Sequence, residues 1–319
     1  MPLVPPTPEL VAEYVEASGL PAQHVIAVLP PRNANCTVER LAINAAMTLA
    51  PVEAMPLMTT ALEAMADPAF ALHALNATTG SVVPALIVNG PVARQLDIPA
   101  GAGCLGGVAG AAPAIGRALR LVMRNIAGQL IGVTSQSVYG QPGRVAGIVF
   151  AEWEEMSPWA PFAERRGVSG NAVTVYGAMG TTNICDLVAD TGAGLLEIIG
   201  KSLAYPAANG FLTSSAFSET LVAVNPVWAK LIARDIPDVA EVQALLWKHA
   251  TLPLDWWPEP YHEPFEKAGR ILPGGTVPLV PSAEHVFVLV AGGEGNLHAA
   301  ALHSWGDTRT TTRPVSHAA

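Results

Sequence analysis

Three arginines follow a glycine-rich run in AGAGCLGGVAGAAPAIGRALRLVMRN, residues 100–125. Arg117, Arg120 and Arg124 fall at i, i+3 and i+7, so on a helix they line one face, while Leu119, Val122, Met123 and Ile126 occupy another. Glycines ahead of a helix permit close backbone approach, and a helix N-terminus favours negative charge. Together these features suit a carboxylate, phosphate or sulfonate, with Arg117 and Arg120 as the grips. The plainer alternative is a solvated or interface-pairing arginine stripe.

The candidates for bond-making chemistry lie in other turns. Cys104 sits inside the glycine-rich run, and Cys185 in GAMGTTNICDL reads as one turn into a helix capped near Thr182 or Asn183. A thiol at a helix N-terminus can ionise easily and act as a nucleophile; a small buried apolar cysteine is the commoner state. Thr181 and Asn183 are natural donors to a developing oxyanion, and Asn89 and Asn225 read as helix caps after buried strands. Glu294, in AGGEGN, stands where a ligand would approach. Glu152 and Glu154 point to one side after a strand, so they could share a proton or form a solvated cluster. His73 lies in an extended run, and His262, His298 and His303 complete the candidate general bases. His298 and His303 share an expected final helix at i and i+5, a poor spacing for one metal, so no metal set is expected.

GAGCLGG follows a short helix rather than a strand, and no GK[ST] occurs, so neither nucleotide fingerprint has its context. No organic cofactor is expected. Three widely spaced cysteines, Cys36, Cys104 and Cys185, make neither a disulfide framework nor a metal knuckle. The net charge of −9 argues against a nucleic-acid binder. Half the residues are apolar and only 13% charged, which suggests a covered surface and hence a homo-oligomer or partner subunit. The apolar stretch Leu41 to Met65 is broken by Pro51, Glu53 and Pro56, so it does not read as a membrane span. MPLVPPTPEL lacks a basic, then apolar, leader, and a cytoplasmic protein is expected.

The elements that must position these groups are short apolar strands alternating with helices. Strands are expected at Val25–Leu29, before Asn89, at 145–151, 172–176 and 285–290, and before Asn225. This alternation predicts a layered α/β fold with mostly parallel sheets flanked by helices, whose ligands lie beyond the carboxyl ends of the strands. ALIVNGPVARQLDIP and LVAVNPVWAKLIARDIP share a strand, an Asn-Pro turn and a short helix ending in DIP. That similarity suggests two related halves from an internal duplication, residues 1–128 and 129–319. The proline-rich 252–284 and the tail after Asp307 read as loops.

VERLAINAAM, PALIVNGPVARQL and IGRALRLVMRNI, all within Val38 to Ile126, resemble the partner domain or subunit found with UGSC-motif (seleno)proteins. The UGSC motif itself does not occur here. The resemblance implies a metabolic enzyme or a partner to a thiol or selenol protein, and it transfers no catalytic residue.

The expectation is therefore an enzyme of hydrolase or lyase type acting on a small anionic organic substrate. Cys185, Cys104, His73 and Glu152 are its candidate catalytic groups; Arg117, Arg120, Asn89, Thr181, Asn183 and Glu294 are its candidate binding groups. A non-catalytic or thiol-redox partner subunit is the alternative, and a metal-dependent hydrolase the third reading.

Overall fold

The computed structural model describes residues 3–106, 110–214 and 217–315. Residues 107–109 of the glycine-rich run lie outside them. In chain order the elements are α1 (Pro8–Ala17), β1 (Val25–Leu29), β2 (Ala34–Thr37), α2 (Val38–Ala46), α3 (Met55–Met65), α4 (Leu72–Ala77), β3 (Val83–Asn89), α5 (Pro91–Gln95) and α6 (Ala112–Asn125). There follow α7 (Gly143–Ala146), β4 (Ile148–Ala151), α8 (Phe162–Arg165), β5 (Ala172–Ala178), β6 (Thr182–Cys185), α9 (Gly192–Leu203), β7 (Thr220–Val224), α10 (Pro226–Asp235) and α11 (Val239–His249). The chain ends with β8 (Thr251–Pro253), α12 (His262–Lys267), β9 (Thr276–Pro278), β10 (Val286–Val290), β11 (His298–His303) and β12 (Thr311–Pro314).

Helix starts follow the expected chemistry. Thr7, Thr37 and Asn225 have extended backbones and accept the amides of Leu10, Arg40 and Trp228, which satisfies donors that a helix leaves free. Asn89 does not cap α5. It is the last residue of β3, and the cap comes from Asn171, whose Oδ1 accepts the Val92 amide at 2.8 Å. Gly90 bridges the two with a φ of +83°, and a Cβ there would meet the Gly170 carbonyl.

The chain forms two compact units. One comprises residues 1–152, 162–180 and 310–319, the other 153–161 and 181–309. The chain passes between the units at 152/153, 161/162, 180/181 and 309/310. Each unit is built on a four-stranded sheet, in the orders β12-β5-β3-β4 and β10-β7-β11-β6. Only β3–β4 and β7–β10 are parallel pairs; β5 and β12, like β11 and β6, run antiparallel to their neighbours. The sheets are thus mixed, not mostly parallel. β11 follows β10 through a helix-free turn, and β5 follows β4 through a connection whose one α-helix is the four-residue α8, so each runs back antiparallel.

Read from β12 and from β6, the two sheets share the same succession of pairings, antiparallel, antiparallel, parallel, although β12 is the last strand of its unit and β6 the first of its own. Their ends also match: Glu152 N donates to Val88 O and Ala291 N to Val224 O, beside Asn89 and Asn225 respectively. Val315 N donates to Asn171 O just as Asp186 N donates to Leu297 O.

Two expected helices are strands. The segment after Thr181 is β6, and HAAALH is β11, held between β6 and β7. Alanine and leucine favour a helix locally, but the backbone pairing offered by both neighbours overrides that preference. His73 lies in α4 rather than in an extended run, and the tail read as a loop supplies β12.

In the first unit, β3 and β5 are buried along their whole lengths, and Leu41, Met58, Leu62, Ile115, Leu119 and Val122 of the helices are buried as well. In the second, Leu195, Ile199, Val222, Trp228, Ile232, Leu246, Trp257 and Val288 form the core. Each such side chain contributes about 1.5–3 kcal/mol by leaving water.

Candidate anion site

Helix α6 carries the arginine stripe. Its apolar face, Ile115, Leu119, Val122 and Met123, is buried, which turns Arg117, Arg120 and Arg124 toward the segment 129–145. Close approach depends on Gly116 and Gly147. A Cβ on Gly116 would collide with the Ala146 carbonyl oxygen, and Gly147 has a φ of +75°. With both positions bare, α6 comes near enough for Arg120 Nε to donate to Arg144 O at 3.1 Å and Arg117 Nη1 to Val145 O at 3.0 Å.

Arg120 is only 8% exposed. Its Nη2 donates to Gln129 Oε1, while Nη1 has no hydrogen-bond partner. Arg144 is likewise buried and donates to the carbonyls of Val82 and Gly80, both at 3.1 Å, and to Ser135 Oγ at 2.8 Å. Every one of these acceptors is neutral. Arg117 keeps a buried Nε without a partner, and Arg124 is exposed.

These four arginines line a cavity of about 390 Å³ together with Leu121, Gln129, Leu130, Ile131 and Val145. No carboxylate lines it, and none of the four arginines forms an ion pair with another described residue. Burial pushes the Arg120 guanidinium down to about 9, with the charges of Arg144 and Arg117 adding to the effect. Burial also lowers Arg144. Arg120 therefore stays cationic at neutral pH at a cost on the order of 5 kcal/mol, which a bound anion would offset.

The other candidates lie apart from this cavity. Arg144 binds the carbonyls just ahead of β3, whereas Asn89 ends that strand. At about 3.3 Å per residue the two are roughly 20 Å apart. A small anion cannot touch both. Asn89 Nδ2 instead donates to Glu152 Oε2 at 2.7 Å, and Glu152 also accepts the Phe162 amide at 2.5 Å. Glu152 is thus a buried carboxylate held inside the protein, and Glu154 belongs to the other unit. Cys104 is buried in a turn. Exposed His73 borders a separate cavity of about 320 Å³, next to Asp67.

The second unit does gather candidates at one sheet end. The β6–β11 register puts Cys185 directly opposite His298. Asp186 and Leu297, the next pair outward, share a hydrogen bond, so Cys185 and His298 occupy the narrower, non-bonded kind of pair with side chains on one face. Both residues are exposed. Asn225 Nδ2 fixes the start of β11 through the His298 carbonyl at 2.7 Å. Glu294 is exposed in the turn between β10 and β11. Thr181 and Asn183 are exposed too, but they precede or lie in an edge strand, so they lack the helix-start amides expected to form an oxyanion hole. For the same reason Cys185 lacks the helix N-terminus expected to promote its ionisation.

Arg144 and Gln129 escaped the sequence reading. A lone arginine ahead of a strand carries no periodic signal; only the glycine-mediated approach of α6 gives it a role. Among the described residues no group of three or more His, Cys, Asp or Glu could hold a metal ion, and no helix is long and apolar enough to cross a membrane. No protein-family model and no curated protein matches the chain.

Proposed function

We propose that the chain recognises a small organic anion through the arginine-lined cavity. One observation carries this reading: four guanidinium groups, one of them more than nine-tenths buried with a free nitrogen, share a cavity without a carboxylate. Assembling like charges away from water is unfavourable unless an opposite charge joins them. The lining holds no Cys, His, Asp or Glu, so the cavity is equipped to bind rather than to cleave. A binding role also accommodates the partner-subunit function implied by the resemblance to proteins found with the UGSC motif.

Isothermal titration with inorganic phosphate, sulfate and citrate tests the proposal. Binding is expected to weaken as salt rises and to weaken at least tenfold in Arg124→Gln, whose exposed position leaves folding intact. No binding of any of the three anions, or equal affinity in the variant, would overturn it.

The pairing of Cys185 with His298 favours a second reading, of hydrolase type, at the other sheet. There His298 would take the Cys185 proton, and the thiolate would attack an electrophilic acyl carbon. The leaving group would depart with the proton from His298, and water would then hydrolyse the thioester to free the acid and the thiol. The matched succession of pairing directions supports the further reading of two duplicated halves, in which Pro314 and Ala172 occupy the places of Cys185 and His298. Only one half would then carry the chemistry. Iodoacetamide labelling at pH 7 is expected to modify Cys185 several-fold faster in the native protein than in His298→Ala. Equal rates would remove the dyad.

A further inference from the structure

We infer that the ligand of the arginine-lined cavity is amphipathic, with an anionic head held by the guanidinium groups and an apolar portion lying on Leu121, Leu130, Ile131 and Val145. This rests on the reading of the cavity as an anion site and names the kind of anion. The lining divides by chemistry: four arginines and one carboxamide on one side of the account, four aliphatic side chains on the other, and no hydroxyl between them. A sugar phosphate or a polycarboxylate would leave its remaining polar groups against aliphatic carbon, which is costly. An alkyl or aryl group would instead remove apolar surface from water.

Two of the four aliphatic lining residues are open to solvent in the free protein, Ile131 at 67% and Val145 at about half, whereas Leu121 is buried. Val133, Val138 and Tyr139 farther along the same segment as Ile131 are exposed as well. The backbone presenting these side chains is nevertheless fixed. Leu130 N donates to Thr134 Oγ1 at 2.8 Å, Gln136 N to Ala77 O at 3.2 Å, Val138 N to Thr79 O at 3.0 Å and Gly140 N to Ser81 Oγ at 2.8 Å. Ile131, beside the four arginines, is therefore held outward on a fixed segment that carries further exposed apolar side chains. A volume of about 390 Å³ is at the small end for ligand pockets, enough for a charged head and a short chain.

The experiment is a calorimetric series of inorganic, methyl, butyl and hexyl phosphate at constant ionic strength, below any micelle concentration. Affinity is expected to rise up to about fourfold per covered methylene, the fold-change equivalent to ~0.8 kcal/mol. Ile131→Ser and Val145→Ser, both at exposed positions, should flatten the rise in affinity with chain length. Arg124→Gln should weaken every member. Co-sedimentation with vesicles containing phosphatidic acid separates the sources: binding there identifies a membrane lipid, and a steep series without it identifies a soluble amphiphile. If phosphate binds in an Arg124-dependent way but chain length changes nothing, this inference fails and the anion site stands. If no member binds, both fail.

Discussion

His303 makes the second unit sensitive to acid, and the effect can be worked out from its surroundings. The side chain is 7% exposed, its Nε2 has no partner, and its ring lies edge-on to Tyr205 at 5.7 Å between centroids. Burial holds the imidazole down at about 4. In the unfolded chain it returns to about 6.5, so as pH falls below that value the unfolded state takes up the proton first. Stability is therefore complete above about pH 6.5 and is lost progressively down to about pH 4. At pH 4.5 this one group costs about 2.5 kcal/mol, from 1.36 kcal/mol per unit of difference. Urea unfolding at pH 7.5 and pH 4.5, with and without His303→Phe, isolates the effect because other titrating groups cancel between the two proteins. The native chain should lose about 2.5 kcal/mol more than the variant on acidification. Losses equal to within ~0.5 kcal/mol would show that the imidazole is hydrated or partnered in the folded state, and would refute the reasoning.

Two further outcomes follow from packing. Gly116→Ala should destabilise the protein by about 1–3 kcal/mol in chemical unfolding, because α6 must retreat from the Ala146 carbonyl, and phosphate affinity should fall with it. Asn225→Ala removes both the cap on the Trp228 amide and the bond to the His298 carbonyl, so a loss of about 2 kcal/mol is expected, against roughly half that for Asn171→Ala, which loses only the cap on Val92.

Continuous apolar runs made β3, β5, β7 and β10 readable, since strands buried on both faces carry few polar residues. Arg117, Arg120 and Arg124 were readable as one helix face because a helix imposes its own period. The residues that complete the cavity were not. Arg144 joins through a close approach permitted by two glycines, and that information resides in neither segment alone. HAAALH misled for a related reason. Its preference for a helix is local, whereas its partners are β6 and β7, the former more than a hundred residues earlier in the chain. The opposition of Cys185 and His298 is a product of that pairing, so it was invisible while both segments were read as helices. Asn89 fits the same pattern: the sequence shows an asparagine before a helix, but only the placement of Asn171 and Glu152 decides what it binds.

The interleaving of the two units along the chain has a consequence for biosynthesis. β12, the last of the described strands, closes the edge of the sheet whose centre is laid down near residue 85, while β6, which directly follows β5, edges the other sheet. During translation the outer side of β5 stays unpaired until residues 311–314 emerge, and no single cut divides the chain into two intact sheets. A ribosome-stalled or C-terminally shortened chain thus offers an open hydrogen-bonding edge, a template for wrong partners that only the finished protein covers.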